Sequence, residues 1–503
     1  MNSKQGFLAV LILIAVASCG GRSGKDAPAL KLEVKPLPGV RVQYDSRTST
    51  FRIGNELIER RISINTERNF IYTAAFINKL SGRNYVRSLG EEFSFEANNV
   101  RLSGVSGDFE YVDHEISGAG GIKTLVISLQ ATREEIGILR VKLVYMIYSG
   151  MPIIRKWIEI TNPGGSIVKI DSVQVEMLKP LPGLIYNLEV YAGSISPTIF
   201  DTRLMEGYIV GNEAPGVTKY SDLYSDGNLV SIGMKPSSQK YATEIQLAPD
   251  EEFITPAVFF LFFRGESEPA KEILAKFTAE YLAWSKSDYS VWYESIVGEV
   301  TEEEVHQKTQ LAKQSEADIF CLDGFWMDKR GNWMIKEDAR VETFRDHARE
   351  LGMKFGLSVD VAIADPGSMV IVDYPNWIVK TADGSDYNIS KDDAIKMMCL
   401  GSEYTLYIAG EIDALVNELN LDYVRLAGPI IPNGEANGCF AQDHVHRSSA
   451  ESLWYIYEGL FAICNHLHSR NPDLIVDVSA QSYNPNGTID YALLKYADVE
   501  WPL

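Results

Sequence analysis

A short apolar run, Leu421-Asp422-Tyr423-Val424-Arg425-Leu426-Ala427, stops at Gly428. Its composition and the glycine after it read as a strand. In a barrel of parallel strands, the residue at the C-terminal tip of a strand points into the active site. The tip here is Ala427, whose methyl group can neither attack a carbon, move a proton nor hold a hydroxyl. Carboxylates do close two other strand-like runs: Asp323 ends Ala317–Asp323 and Asp360 ends Met353–Asp360. His444-Val445-His446, with Asp443 and Cys439 close by, contains residue types that ligate metals. With only the alternating pair and no second cluster, the segment reads as a polar loop after the strand, and the sequence assigns no metal and no cofactor. His466 and His468 lie near the C-terminus of a long helix, where positive character is favourable, and read as structural. Cys321, Cys399, Cys439 and Cys464 are far apart without a CxxC pair and read as buried thiols rather than a disulfide.

The elements that would position these residues alternate between strand and helix after Ser290. Strands are expected at 291–296, 317–323, 353–360, 421–426 and 474–478, with a sixth beginning at Asp498–Trp501. Helices lie between them. Thr301 with Glu304 forms a capping box for one that runs to Gln314. Val341–Leu351 is closed by Gly352, Tyr404–Leu419 and Ser448–Arg470 follow, and 489–496 is helical. Repeated strand-then-helix units imply a parallel sheet, and this order suits a (β/α)8 barrel.

Residues 30–265 differ in kind. Alternating apolar and polar residues recur in Phe51–Ile53, Thr124–Leu129 and Leu139–Tyr145, punctuated by turns such as Asn162-Pro163-Gly164-Gly165. This is an antiparallel β-sandwich pattern. Gly118–Lys123 lacks the glycine spacing of a phosphate loop and reads as a turn. Residues 266–289 form a linker helix, with Ala270, Ile273, Leu274, Phe277 and Tyr281 at helical spacing. The expected organisation is therefore multidomain β plus α/β: sandwich 30–265, linker 266–289, barrel 290–503.

The chain has 503 residues, 46% hydrophobic and 23% charged, with a formal net charge of −21. That composition supports sizeable cores, and so acidic a chain repels nucleic-acid phosphates, so no nucleic-acid partner is expected. A neutral ligand such as a sugar is electrostatically unopposed. At the start, Lys4 precedes the apolar stretch Phe7–Ala17, too short for a confident membrane span. Val16-Ala17-Ser18-Cys19-Gly20 resembles a bacterial lipobox. That resemblance implies a signal peptide over 1–19, lipidation of Cys19, a tether over 20–29, and a lipid-anchored place in the bacterial cell envelope.

Several stretches of the second half resemble the α-galactosidases of the glycoside hydrolase family 36 and family 27 clan. Phe320-Cys321-Leu322-Asp323-Gly324-Phe325-Trp326 with Gly331-Asn332-Trp333 is similar to their "LDDGW … GDW" region. Gly352–Leu357 matches "GMKFGLW", Tyr374-Pro375-Asn376-Trp377 matches "HPDW", and Asp422–Gly428 matches "DYIKWD" or "DYLKFDG". Asp360, Pro366 and Ser368 follow the spacing of an "EPE…P.S" segment. Tyr145–Asn162 resembles the paired strands of the family 36 N-terminal supersandwich.

The resemblance implies a retaining glycosidase with two carboxyl groups roughly 5–5.5 Å apart. Its nucleophile would be an aspartate at the position held by Ala427, and Arg425 replaces the usual lysine. The family 27 pattern makes Asp498 the candidate acid/base, with Glu500 beside it. The family 36 pattern, aligned on Asp490 and Trp501, puts that group beyond Leu503. Asp323, Trp326, Lys354, Asp360, Arg425 and Trp501 would bind an oligosaccharide or glycan, Trp326 as a platform for a pyranose face. About six strands where a barrel needs eight, and no C-terminal β-domain, imply a truncated product or a partner that completes it. The expectation is an impaired or inactive α-galactosidase-like hydrolase, or a non-catalytic carbohydrate-binding surface lipoprotein.

Overall fold

The computed structural model describes residues 39–500 apart from 87–88, 180–186, 190–194, 224–229, 297, 391–393 and 433–437. Cys19, the segments 1–19 and 20–29, and Trp501 lie outside the described residues.

The first part is antiparallel β-structure in three sheets. One is a sequential five-stranded sheet running from Arg41–Asp45 to Arg83–Asn84. A nine-stranded sheet is built on Phe109–Ala119, Ile122–Arg133, Gly137–Tyr148 and Ile153–Thr161. The third, of six strands, is centred on Val168–Leu178. Alternation does the sorting: Ile58–Asn65 switches between buried and half-buried at every residue. The paired strands expected around Tyr145–Asn162 are present, with Met146 opposite Arg155 and the turn carrying Gly150 at φ +70°.

Charges are clamped inside this apolar packing. Arg60 reaches Glu176 through two bonds of 2.6 and 2.7 Å and Glu92 at 2.6 Å. Lys156 Nζ meets Glu92 Oε1 at 2.8 Å, and Tyr145 and Thr73 donate hydroxyl protons to the same carboxylate. Two cations balance two anions, and the six side chains come from six strands. Removing water from such groups is tolerable only when each is paired.

The chain then enters the helix Glu268–Tyr281, whose Ala270, Leu274 and Phe277 are buried. Phe277 packs edge-on against Tyr148 and Phe259 of the sandwich. Five parallel strands follow in sequential order: Val291–Glu294, Ile319–Asp323, Lys354–Asp360, Tyr423–Ala427 and Ile475–Val478. This is the wall of a (β/α) barrel. Beyond it, the Asp498 backbone N–H donates to Val476 O at 2.8 Å, where the sixth strand was expected to begin. Ile319, Cys321, Tyr423 and Ile475 share one buried cluster on one face. The alternate residues Phe320, Leu322, Leu357, Val424, Leu426 and Val476 belong to the larger core beneath the helices. The capping box is realised in both directions: Glu304 N–H donates to Thr301 Oγ1 and Thr301 N–H to Glu304 Oε2. Tyr404–Leu419 is helical over the expected span.

Sandwich and barrel are joined by polar contacts as well as a shared core. Glu213 takes Arg155 Nε and Nη2 at 2.6 Å each and Lys495 Nζ at 2.6 Å. The Gly216 N–H donates to Asp490 Oδ2 at 2.8 Å and to Tyr483 Oη at 3.0 Å, and the Val217 N–H donates to Tyr457 Oη at 2.9 Å. Gly216 sits at φ +43°, and a Cβ there would lie 2.0 Å from Tyr457 Oη, so both conformation and space require glycine.

Two outcomes follow from these buried charges. Arg60→Ala leaves Glu92 and Glu176 sharing one cation, and is expected to destabilise the chain by about 3–5 kcal/mol, read as a lower urea midpoint. For Glu213, burial acts to raise the carboxyl pKa, but Arg155 and Lys495 outweigh it and hold it at about 2, against an ordinary 4.5. A lowered folded value means that its stabilisation is complete above pH 4.5 and is lost as pH falls towards 2. Glu213→Gln should therefore lower the urea midpoint at pH 7, with the gap to the unaltered chain narrowing across that acid window.

Candidate functional site

The parallel ladder brings three strand tips to one rim. Asp323 is in register with Ser358, and Asp360 is in register with Ala427. A cavity of about 450 Å³ opens there, lined among others by Ser295, Asp323, Phe325, Arg330, Asp360 and Asp365. Its outer wall is the loop after Asp323. Gly324 (φ +72°) and Phe325 (φ +56°) both take left-handed backbone, which turns the chain back over the strand ends. That turn leaves Phe325 65% exposed and buries Trp326 completely.

Arg330 ties this loop to the next. Its backbone N–H donates to Asp365 Oδ2 at 2.9 Å, its Nε to Asp365 Oδ1 at 3.0 Å, and its Nη1 stands 3.5 Å from Asp360 Oδ2. Burial raises the pKa of Asp360. Arg330 pulls it back, and the neighbouring Asp323 and Asp365 carboxylates add to the rise. Gly428 follows the fourth strand at φ +74°, and a Cβ there would stand 3.0 Å from Asp360 Oδ1. The Asp360 carboxylate thus lies at the foot of Ala427-Gly428.

A polar layer runs through the level of Asp323, Ser358, Arg425 and Asp477 and the level of Tyr293 and Tyr423 below it. Tyr423 Oη donates to Asp477 Oδ2 at 2.6 Å and pairs with Tyr293 Oη at 3.0 Å. The Arg425 guanidinium stacks 4.3 Å over the Tyr293 ring, with Nε 3.9 Å from Asp477. Arg425 therefore stands level with Asp323 and Ser358, one step below Asp360 and Ala427, paired with residues of the first and fifth strands.

Comparison with known proteins bears on this rim. Residues 290–503 match the Melibiase family model. The chain is α-galactosidase-like. Alpha-galactosidase 2 of Pediococcus pentosaceus is 21% identical over 296 residues, covering 56% of this chain and 39% of that protein. Alpha-galactosidase Mel36A of Lactobacillus acidophilus is 19% identical over 460 residues, covering 82% of this chain and 61% of that protein. The chain thus spans under two thirds of either curated relative. Among solved structures, the α-galactosidase from Lactobacillus brevis superposes with a TM-score of 0.71 at 14% identity, covering 91% of this chain and 73% of that one. A variant of AgaA from Geobacillus stearothermophilus in complex with raffinose gives 0.69 at 15% identity, covering 89% and 74%. These superpositions establish the shared fold.

On this α-galactosidase-like frame, the residues singled out in the sequence divide by location. Asp360 and Ala427 share the rim, with Asp323 and Arg425 level with each other one step below. Trp326 is not a platform: its indole N–H donates to Ser358 O at 2.9 Å within the core, and the exposed ring at the cavity is Phe325. Lys354 begins the third strand and so lies at the opposite end of the sheet from Asp360, its ammonium 4.9 Å over the Tyr289 ring.

Asp498 is also away from the cavity. Its Oδ2 accepts from the Val476 N–H and lies 2.9 Å from His468 Nε2, near the start of the fifth strand, and Ser285 bonds its other oxygen. Burial opposes ionisation there, yet His468, Ser285 and the amide hold its pKa below the ordinary range. Its placement is that of a structural carboxylate, not of a proton donor to a ligand on the rim. Arg330 and Asp365 are among the cavity residues that sequence reasoning missed. For Arg330 the sequence signal was its place beside Gly331-Asn332-Trp333.

Proposed function

We propose that this chain is a sugar-binding member of the α-galactosidase-like clan in which retaining hydrolysis has no first step. The observation that carries the reading is Ala427 at the tip of the fourth parallel strand, level with Asp360. A retaining glycosidase forms a covalent bond between a carboxylate and the anomeric carbon, and a methyl group cannot form it.

What remains on the rim suits recognition. The Asp323 and Asp360 carboxylates can each accept bonds from neighbouring sugar hydroxyls, Arg330 offers donors, and Phe325 presents an apolar ring to a pyranose face. AgaA variants hold raffinose and stachyose, and α-galactosides of that class are the ligands proposed here. The proposed place is the cell envelope, through a lipid on Cys19, a reading supported by Lys4, Phe7–Ala17 and the lipobox-like residues.

The unaltered chain is expected to release no nitrophenolate from p-nitrophenyl α-galactoside above buffer. Titration calorimetry with raffinose should give a binding heat that Asp323→Asn and Asp360→Asn remove. Nitrophenolate departs without needing a proton, so Ala427→Asp should give a burst of about one equivalent per site. Sustained turnover by the unaltered chain would overturn the reading, and its loss in Asp360→Asn would name Asp360 as the attacking group. Separately, Cys19→Ser is expected to move the expressed chain from the membrane fraction to the soluble fraction; unchanged fractionation would remove the anchor.

A further inference from the structure

Two segments about forty residues apart in sequence bring four ligating atoms together. Cys399 follows the Ile378–Met398 bridge, and its N–H donates to Trp377 O at 2.9 Å. Cys439 lies in the loop after the fourth strand, its N–H donating to Ser452 Oγ at 2.8 Å at the start of the helix Ser449–Arg470. His444 and His446 stand in the run leading into that helix. The two sulfurs and two imidazole nitrogens all lie within 4.8 Å of one another. Cys439 Sγ is 3.4 Å from His444 Nδ1, His444 Nδ1 is 3.2 Å from His446 Nε2, and His446 Nε2 is 3.8 Å from Cys399 Sγ.

We propose that Cys399, Cys439, His444 and His446 form a structural zinc site. With Zn–S of about 2.3 Å and Zn–N of about 2.0–2.1 Å, a tetrahedron has S–N edges of about 3.5 Å and an N–N edge of about 3.3 Å. The two S–N separations, 3.4 and 3.8 Å, bracket their value, and the N–N separation of 3.2 Å lies just under its own. The surroundings prepare the ligands. His444 Nε2 lies 2.6 Å from Asn376 O, and a carbonyl only accepts, so Nε2 carries the proton and Nδ1 presents its lone pair to the cluster. The Lys380 N–H donates to Cys439 Sγ at 3.4 Å, a contact that favours a thiolate. Cys399, Cys439 and His446 are buried.

Space has been left for closure. A Cβ on Gly401 would stand 3.1 Å from His446 Cδ2 and 3.5 Å from Cys399 Sγ. Gly438, at φ +98°, brings Cys439 so close to the helix start that a Cβ would lie 2.2 Å from Ser449 O.

The donor set identifies the ion. Two sulfurs and two imidazoles in a tetrahedron suit zinc and exclude magnesium or calcium, which take oxygen. Two thiolates and Zn²⁺ sum to zero charge, which a buried position tolerates. All four positions are filled by protein, so the ion holds structure and leaves no place for a substrate. It would tie the loop after the third strand, which carries Asp360, to the loop after the fourth, which carries Ala427. The sequence showed only the alternating histidines and Cys439, because Cys399 arrives through tertiary folding.

The test uses the full chain, purified untagged under reducing conditions. Elemental analysis should find about one zinc per chain, falling to background in Cys399→Ser/Cys439→Ser. Because that variant can fail to fold, the unaltered chain is also stripped with a strong chelator. Its thermal midpoint should fall and return on adding zinc alone. Cobalt(II) in its place should give thiolate-to-metal charge-transfer bands and the intense visible bands of tetrahedral coordination. A chain that contains no zinc and takes none up in titration would overturn the proposal. So would a Cys399–Cys439 disulfide found by mass spectrometry in the non-reduced chain.

Discussion

In a parallel ladder, residues two apart on one strand point the same way, and partners in neighbouring strands share a level. Everything at the rim follows from that constraint. Once Gly356 is paired with Tyr423, Asp360 must stand level with Ala427, and Ser358 with Arg425. The carboxylates, the methyl group and the polar layer beneath them are consequences of one register. A slip of a single residue would turn Asp360 towards the helices and put Val359 in the cavity.

The same rule explains what could be read without the structure. Strand tips were legible because apolar runs end abruptly at Asp323, Asp360 and Ala427-Gly428, and helix starts were legible because Thr301 and Glu304 sit at capping distance. Lys354 and Asp498 were matched by motif, and motif carries no information on which end of a sheet a residue occupies. Lys354 opens its strand and Asp360 closes it, so only one of the two can reach the rim. Trp326 was misplaced by one position, since the left-handed turn at Gly324-Phe325 exchanges the inward and outward faces of the loop. Arg330 was hidden for a different reason. It is drawn in by Asp365, a residue whose position depends on the loop after the third strand.

Charge is used differently in the two parts of the molecule. In the sandwich, Arg60, Lys156, Glu92 and Glu176 cancel in a buried cluster that joins all three sheets. At the barrel rim, Arg330 faces Asp360 and Asp365 while Asp323 stands nearby. The excess there is one negative charge, with Asp323, Asp328, Asp360 and Asp365 set against Lys329, Arg330 and Lys336 along the cavity.

The Gly216-Val217 turn has a consequence for how the molecule comes apart. Its two amides donate to Tyr457, Tyr483 and Asp490, which belong to the other part of the chain. Pulling the parts asunder would take those donors from their partners and leave Glu213 with Arg155 but without Lys495. The seam therefore makes the sandwich and the barrel wall a single cooperative unit, and heating would carry both through one calorimetric transition, not two in succession.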